Sequence, residues 1–235
     1  MSNRTARDEN PGQEPPASEV KYYKKDFWQE ENLKYAAPHF RMRKVARIVS
    51  RLAGGLECDL LDVGCGPGTT QRVLPPNVRY HGIDISIPEP AENLLEMDIL
   101  ESSIGFRGMK FDFVVAQGMF EYVGAFQSQK FTEIAGILKE NGKFVVSYQN
   151  FGHRQREIYW PYSNVQQPAK FRADLARFFR IERSFPMSHN WNHSQPRRTL
   201  MKVSQAHVDI NLPFFSPLLA VDYLYICSPL RPDAG

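Results

Sequence analysis

The chain has 235 residues, of which 42% are hydrophobic and 12% aromatic, more than one average domain, fewer than two, and too apolar for global disorder. Lys and Arg number 29 against 26 Asp and Glu, a formal charge of +3, too slight to mark a nucleic-acid or anionic-membrane binder by bulk electrostatics. Its three cysteines, Cys58, Cys65 and Cys227, form no C-x-x-C pair, which argues against a disulfide scaffold or zinc ribbon, and the lack of a long apolar run or secretory leader points to a cytoplasmic protein.

Met1 to Glu19 is polar and rich in Pro, Asn and Glu, and reads as a disordered tail (1–19). Residues 20–235 read as one domain. Its first part, 20–53, opens on Tyr22, Tyr23, Phe27, Trp28 and Tyr35, aromatics suited to a lid or to a helix packed on a sheet. From Phe40 to Leu52 the apolar positions Val45, Ile48, Val49 and Leu52 keep a helical period, and Gly54-Gly55 supplies a stop. Asp59–Val63 is a short apolar strand followed at once by Gly64-Cys65-Gly66-Pro67-Gly68. Strands are predicted from Val78 to Ile83, ending at Asp84, and from Leu94 to Met97, ending at Asp98. The apolar run Phe111–Ala116 suits a buried parallel strand.

Phe126–Leu138 has helical spacing with Asn141-Gly142 as its stop, and Phe144–Tyr148 is the next strand. Pro168–Phe179 reads as a helix with Pro near its start. Ile181–Phe185 and Val221–Cys227 are the last strands. The stretch 187–220 is too long for a hairpin loop and is read as a cap insertion over a site. It carries His189, Trp191, His193, Arg197 and Arg198. Strands alternating with helices predict an α/β, doubly wound, Rossmann-like sheet.

The glycine loop narrows the class. Asp62-x-Gly64-x-Gly66-x-Gly68 follows a strand directly, and its glycines let the backbone turn tightly and approach a ligand. Asp84 lies 20 residues beyond Gly64 at the end of the next strand, where such an acid accepts hydrogen bonds from ribose hydroxyls. A nicotinamide-type G-x-G-x-x-G needs glycine at position 69, which is Thr69. The pattern resembles the class I S-adenosylmethionine-dependent methyltransferase family over roughly Tyr35 to Gln149. That resemblance implies a sheet of about seven strands, mostly parallel with an antiparallel last strand. It implies S-adenosyl-L-methionine as cofactor, with Asp62, Gly64, Cys65, Gly66 and Gly68 under its methionine part. It places Asp84 on the ribose, Ile85 against the adenine, Asp98 with the flanking Ile99 at the adenine amino group, Tyr22 on the methionine side, and Gln117 on the methionine or substrate side. Pro75-Pro76, and Pro88 with Pro90 between Asp84 and Asp98, predict that the helices after the first two strands are shortened or absent.

Gln117-Gly118-Met119-Phe120-Glu121 and Val146 to Arg156, with its Asn150-Phe151-Gly152, are similar to the methionine-biosynthesis protein W branch of that family. Methyl transfer from a sulfonium is an in-line displacement in which the protein positions the acceptor and excludes water. A general base is needed only where the acceptor must lose a proton. Candidates are Glu121 after the fourth strand, His153 after the fifth, and His189 and His193 in the cap. Tyr23, Trp28, Tyr122, Arg154 and Trp191 are candidates for acceptor contacts, with Arg156, Arg197 and Arg198 near the same mouth. His189-x-x-x-His193 lacks the intervening Glu and a third ligand of a zinc site, so no metal is expected. Nucleic-acid methyltransferases of exocyclic amines carry Asn/Asp-Pro-Pro-Tyr/Phe where this chain has Ala116-Gln117-Gly118-Met119. The expected partner is therefore a small-molecule acceptor, such as a secondary metabolite, with O-methylation favoured; no nucleic acid and no membrane are expected, and a homodimer is left open. Two alternatives stand beside this: an accessory protein acting through a partner enzyme, and a methyltransferase of a peptide or carrier-bound acceptor.

Overall fold

The computed structural model describes residues 37–150, 166–189 and 220–230. Helix α1 (Phe40–Ala53) is capped by His39, whose side chain accepts a hydrogen bond from the Arg41 N–H, and ends on Gly54 at φ 58°, the left-handed stop that Gly54-Gly55 predicts. One face of α1 buries Val45, Ala46 and Val49, while Arg43, Arg47 and Arg51 face solvent. The strands follow as β1 (Cys58–Val63), β2 (Val78–Asp84), β3 (Leu94–Glu96), β4 (Phe111–Ala116), β5 (Leu138–Gln149), β6 (Phe179–His189) and β7 (Ala220–Pro229). Helices α2 (Gln127–Ile137) and α3 (Pro168–Leu175) complete the described α-helices, and 3-10 turns lie at Thr69–Val73, Phe120–Tyr122 and Gly124–Phe126.

The strands form one seven-stranded sheet in the order β3-β2-β1-β4-β5-β7-β6. β1 to β5 pair in parallel, and β7 runs antiparallel to both β5 and β6. This is the mostly parallel Rossmann-like sheet with an antiparallel last strand. Its strand order reverses beside β1, so β1 and β4 open a crevice at their carboxyl ends, where open α/β sheets bind ligands.

Period-2 alternation splits the core between two faces. Val114 and Ala116 of β4, Phe144, Val146 and Tyr148 of β5, and Tyr225 and Cys227 of β7 pack with Phe131 and Ile134 of α2 and Phe171 and Leu175 of α3. Phe113 and Val115, Val145 and Leu224 face the other way, against Val45 and Val49 of α1. On the first face Tyr148 stacks on Phe171 at 3.9 Å and Phe120 on Phe131 at 4.9 Å.

The segment after β1 makes only a 3-10 turn, Thr69–Val73, and no helix lies between β2 and β3, as the prolines predict. Several boundaries differ from the sequence expectation. Asn141-Gly142 does not stop a helix: α2 ends at Ile137, and both residues lie inside β5. There the pairing jumps from Phe111↔Leu138 to Phe113↔Lys143, so the extra residues bulge out and Gly142 faces the Phe111 carbonyl. The helix expected to reach Phe179 ends at Leu175, because Phe179 starts β6 and packs against Phe144. β6 continues past Phe185 through Pro186 to His189, and β7 starts at Ala220. Met187 to His189 and Ala220 are therefore strand ends rather than cap. β6 is an edge strand with register shifts at Pro186 and Ser188, the setting in which a strand tolerates proline. Finally, Asp112 interrupts the β4 apolar run; its carboxylate takes a salt bridge from Lys139 at 2.7 Å and accepts the Asp59 N–H at 2.8 Å.

Candidate functional site

The turn leaving β1 is held against β2 by its own backbone. The Gly64 and Cys65 N–H groups donate to the Ile83 carbonyl at 2.9 and 3.1 Å, and the Gly66 N–H donates to Asp84 Oδ2 at 2.8 Å. Gly64 sits at φ +75°, and a Cβ there would stand 3.0 Å from Met119 Cγ. The loop therefore needs glycine both for its conformation and for the approach of the β4 side. Gly82 matters for the same packing from β2: a Cβ on it would lie 2.7 Å from Cys65 Sγ and 2.8 Å from Leu94 Cδ2.

A cavity of about 410 Å³ opens over this loop. From the β1 and β2 ends it is lined by Asp62, Gly64, Cys65, Pro67, Thr70, Ile83, Asp84 and Ile85. Met97, Asp98, Ile99 and Leu100 line it beyond β3, and Gln117 to Met119 with Glu121, Tyr122 and Val123 beyond β4. Gly66 and Gly68 act from below: Gly66 donates to Asp84, and Gly68, at φ 69°, starts the 3-10 turn. The Asp84 carboxylate also accepts the Ser86 N–H at 3.1 Å, so part of its capacity fixes the loop and the strand end together. Asp98 Oδ1 accepts the Leu100 N–H at 2.9 Å. Asp62 is buried, accepts the Tyr80 hydroxyl at 3.0 Å, and is pushed up to about 6 by loss of hydration, opposed by hydrogen bonds from Thr70 and Tyr80. Burial likewise pushes the Cys65 thiol far up, so it packs as a neutral group.

The β4–β5 side carries a second strongly perturbed carboxyl in the cavity wall. Glu121 is 3% exposed. Its Oε1 accepts the Gln149 N–H at 2.7 Å, while its Oε2 is buried and accepts nothing. Desolvation raises its carboxyl to about 7, against the lowering effect of its own and the Gln149 N–H and of the Arg41 guanidinium; Asp222 pushes the same way as burial. Gln117 Oε1 is also buried without a donor. Gly118, at φ +62°, donates its N–H to Ser147 Oγ at 2.9 Å and so ties the turn after β4 to β5.

Sequence reasoning missed one wall of this site. His39, Arg41 and Met42 line the cavity from the start of α1, and Gln149 from the end of β5. Arg41 reaches across to Asp222 of β7 in a 2.9 Å ion pair whose acid is 2% exposed. No local signal marks Arg41 in a helix rich in basic residues. Of the expected site residues, Tyr22, Tyr23, Trp28, His153, Arg154, Trp191 and His193 lie outside the described residues, as do the tail and residues 190–219. His189 is the last residue of β6, in a strand, so the helical spacing to His193 does not hold at its first member.

Residues 37–182 match the protein family described as methyltransferase domain. No curated protein matches the chain. Among solved structures, the chain is similar to one from the complex between the Haloferax volcanii Trm112 methyltransferase activator and its methyltransferase, with TM-score 0.58, 18% identity, and coverage of 82% of this chain and 91% of that one. An S-adenosylmethionine-dependent methyltransferase from Clostridium acetobutylicum gives TM-score 0.53, 13% identity, and 83% and 94% coverage. The N-methyltransferase NodS from Bradyrhizobium japonicum, solved with S-adenosyl-L-homocysteine, gives TM-score 0.53, 15% identity, and 92% and 96% coverage.

Proposed function

The chain belongs to the methyltransferase-domain family, and from that premise we propose that it methylates a small-molecule acceptor with S-adenosyl-L-methionine as donor. The observation that carries this is the single cavity that joins the glycine loop, Asp84 and Asp98 to the buried carboxyl of Glu121. The residues fit the cofactor. The loop backbone is kept free of side chains at Gly64, where a Cβ would strike Met119. Asp84 ends β2 and Asp98 lies just beyond the neighbouring β3, and Ile85 and Ile99 follow them. In this proposal the loop Gly64 to Gly68 and Asp62 take the methionine part, Asp84 the ribose, and Asp98 with Ile85 and Ile99 the adenine. The bound cofactor supplies a methyl group on a sulfonium, already activated for displacement.

The chain's own work is then to orient the acceptor, exclude water and handle one proton. Glu121 suits the last task. Gln149 fixes one carboxyl oxygen, the other has no donor, and burial holds the group near neutrality, where it can accept and return a proton. His153, His189 and His193 are proposed as further acid–base groups. Tyr22, Tyr23, Trp28, Arg154 and Trp191 are proposed as cofactor or acceptor contacts beside Tyr122. The test is calorimetric binding of S-adenosylhomocysteine together with methyl transfer to a metabolite panel. Asp84→Ala and Gly66→Val are expected to abolish both; turnover that survives both changes refutes the cofactor site. A partner requirement is the second reading, favoured by the Haloferax neighbour, which was solved with an activator protein. A stable complex recovered from the native source, with no transfer by the isolated chain and transfer restored in the complex, supports it.

A further inference from the structure

Glu121 Oε2 and Gln117 Oε1 are both buried acceptor atoms without a donor. Both residues line the same cavity, on either side of the Gly118 turn. Unmet acceptors at such depth are costly, on the order of 1–3 kcal/mol for a neutral group, and both residues border a cavity with room for a ligand. A hydroxyl donates one proton, a carboxylate acceptor donates none, and a primary ammonium donates three. Charge points the same way. Among the described residues, the charged groups that act on Glu121 are Arg41 from α1 and Asp222 from β7, and Arg41 is engaged in a 2.9 Å pair with Asp222. An ionised Glu121 and Asp222 both interact with the Arg41 guanidinium, so an ammonium brought to this corner meets carboxylates of the opposite charge.

Resting on the methyltransferase proposal above, we infer that the acceptor is an amine, bound through its ammonium group to Glu121 Oε2 with Gln117 Oε1 as second hydrogen-bond acceptor. This turns the expectation from O- to N-methylation. Glu121 has a second task in it. One ammonium N–H bond breaks, its electron pair stays on nitrogen, and the proton forms an O–H bond on Oε2. The product of that step is a neutral amine whose free pair is the nucleophile. The carboxyl is suited to it because burial raises its affinity for a proton, which offsets part of the lowering that a neighbouring ammonium brings.

The experiment compares two matched pairs, benzylamine with benzyl alcohol and phenethylamine with 2-phenylethanol, by calorimetry on the full chain saturated with S-adenosylhomocysteine. The expected result is amine binding at least about tenfold tighter than alcohol binding, a preference that falls within about twofold in Glu121→Gln. Amine binding should strengthen as pH rises from 6 to 8. It should release roughly half a proton at pH 7, read from the buffer dependence of the heat, because an ammonium displaces the proton from the half-titrated carboxyl. Equal binding of alcohol and amine, no binding by either amine, or a preference retained in E121Q each overturns the inference. So does an E121Q variant that binds S-adenosylhomocysteine tenfold more weakly, since Glu121 would then serve the cofactor's own ammonium. A wild-type chain that does not bind S-adenosylhomocysteine brings down the methyltransferase proposal instead, and this inference with it.

Discussion

Replacing Glu121 with glutamine should flatten the pH dependence of stability. Burial raises this carboxyl from 4.5 to about 7 in the folded protein, with Arg41 and two backbone N–H groups opposing. The folded state therefore binds more protons than the unfolded state between pH 4.5 and about 7. Stability falls as pH rises through that window and levels off above it. At 1.36 kcal/mol per pKa unit, the full effect is about 3 kcal/mol. Glu121 is only 3% exposed, so solvent screening reduces it little. Asp62, raised from 3.8 to about 6, slopes the same way at lower pH, but it is present in both proteins and cancels in their difference. Urea unfolding of wild type and E121Q at pH 5, 6, 7 and 8 isolates the Glu121 part. The stability of E121Q relative to wild type should grow by about 2–3 kcal/mol from pH 5 to pH 8. Curves that stay parallel within about 0.5 kcal/mol would refute a neutral-range carboxyl at this position, and with it the proton-accepting role.

Gly82→Ala puts a Cβ 2.7 Å from Cys65 Sγ; it should cost about 1–3 kcal/mol in denaturant melts and weaken S-adenosylhomocysteine binding, because the loop must retreat from β2. Asp84→Asn replaces an acceptor of the Gly66 or Ser86 N–H; a loss of about 2 kcal/mol with at least tenfold weaker cofactor-product binding is expected from melts and calorimetry. Arg41→Met leaves the buried Asp222 carboxylate beside an apolar side chain. The loss should be about 2 kcal/mol, below that of a fully buried pair because the guanidinium is partly exposed. Carboxyl-carbon NMR should find Glu121 titrating at higher pH in this variant, since Arg41 lowers it in the native protein.

The parts of this fold that the sequence announces are those whose cause is local. β1 is buried along its whole length, and Leu60, Leu61 and Val63 mark it as a short strand. The glycine loop and the acids at 84 and 98 sit at fixed offsets from strands, so their common edge could be inferred before any coordinates. Pro75 and Pro76 foretold the missing helix because proline acts on its own backbone. The misplaced boundaries have remote causes. Asn141-Gly142 carries the local chemistry of a stop, yet its conformation is decided by pairing with Phe111. Pro186 discourages a strand locally, and only the edge position of β6 admits it. Arg41 is one basic residue among several on α1 until the sheet order brings Asp222 opposite.

Glu121 lies between these two cases, and it shows why a site can be found from sequence while its chemistry cannot. Its place just after β4 puts it at the ligand edge of any such sheet, so the residue itself was nameable. What it can do depends on three other elements: β5 supplies the Gln149 N–H, α1 the Arg41 guanidinium and β7 the Asp222 carboxylate. Those neighbours are also what make the residue expensive. A glutamine would satisfy the Gln149 N–H without a charge to desolvate, so fold stability alone gives no reason for a carboxylate with one unmet oxygen in a residue that lines a cavity. A function that needs a proton acceptor at neutral pH does give one, and that is why the stability experiment on E121Q and the amine-binding experiment interrogate the same atom.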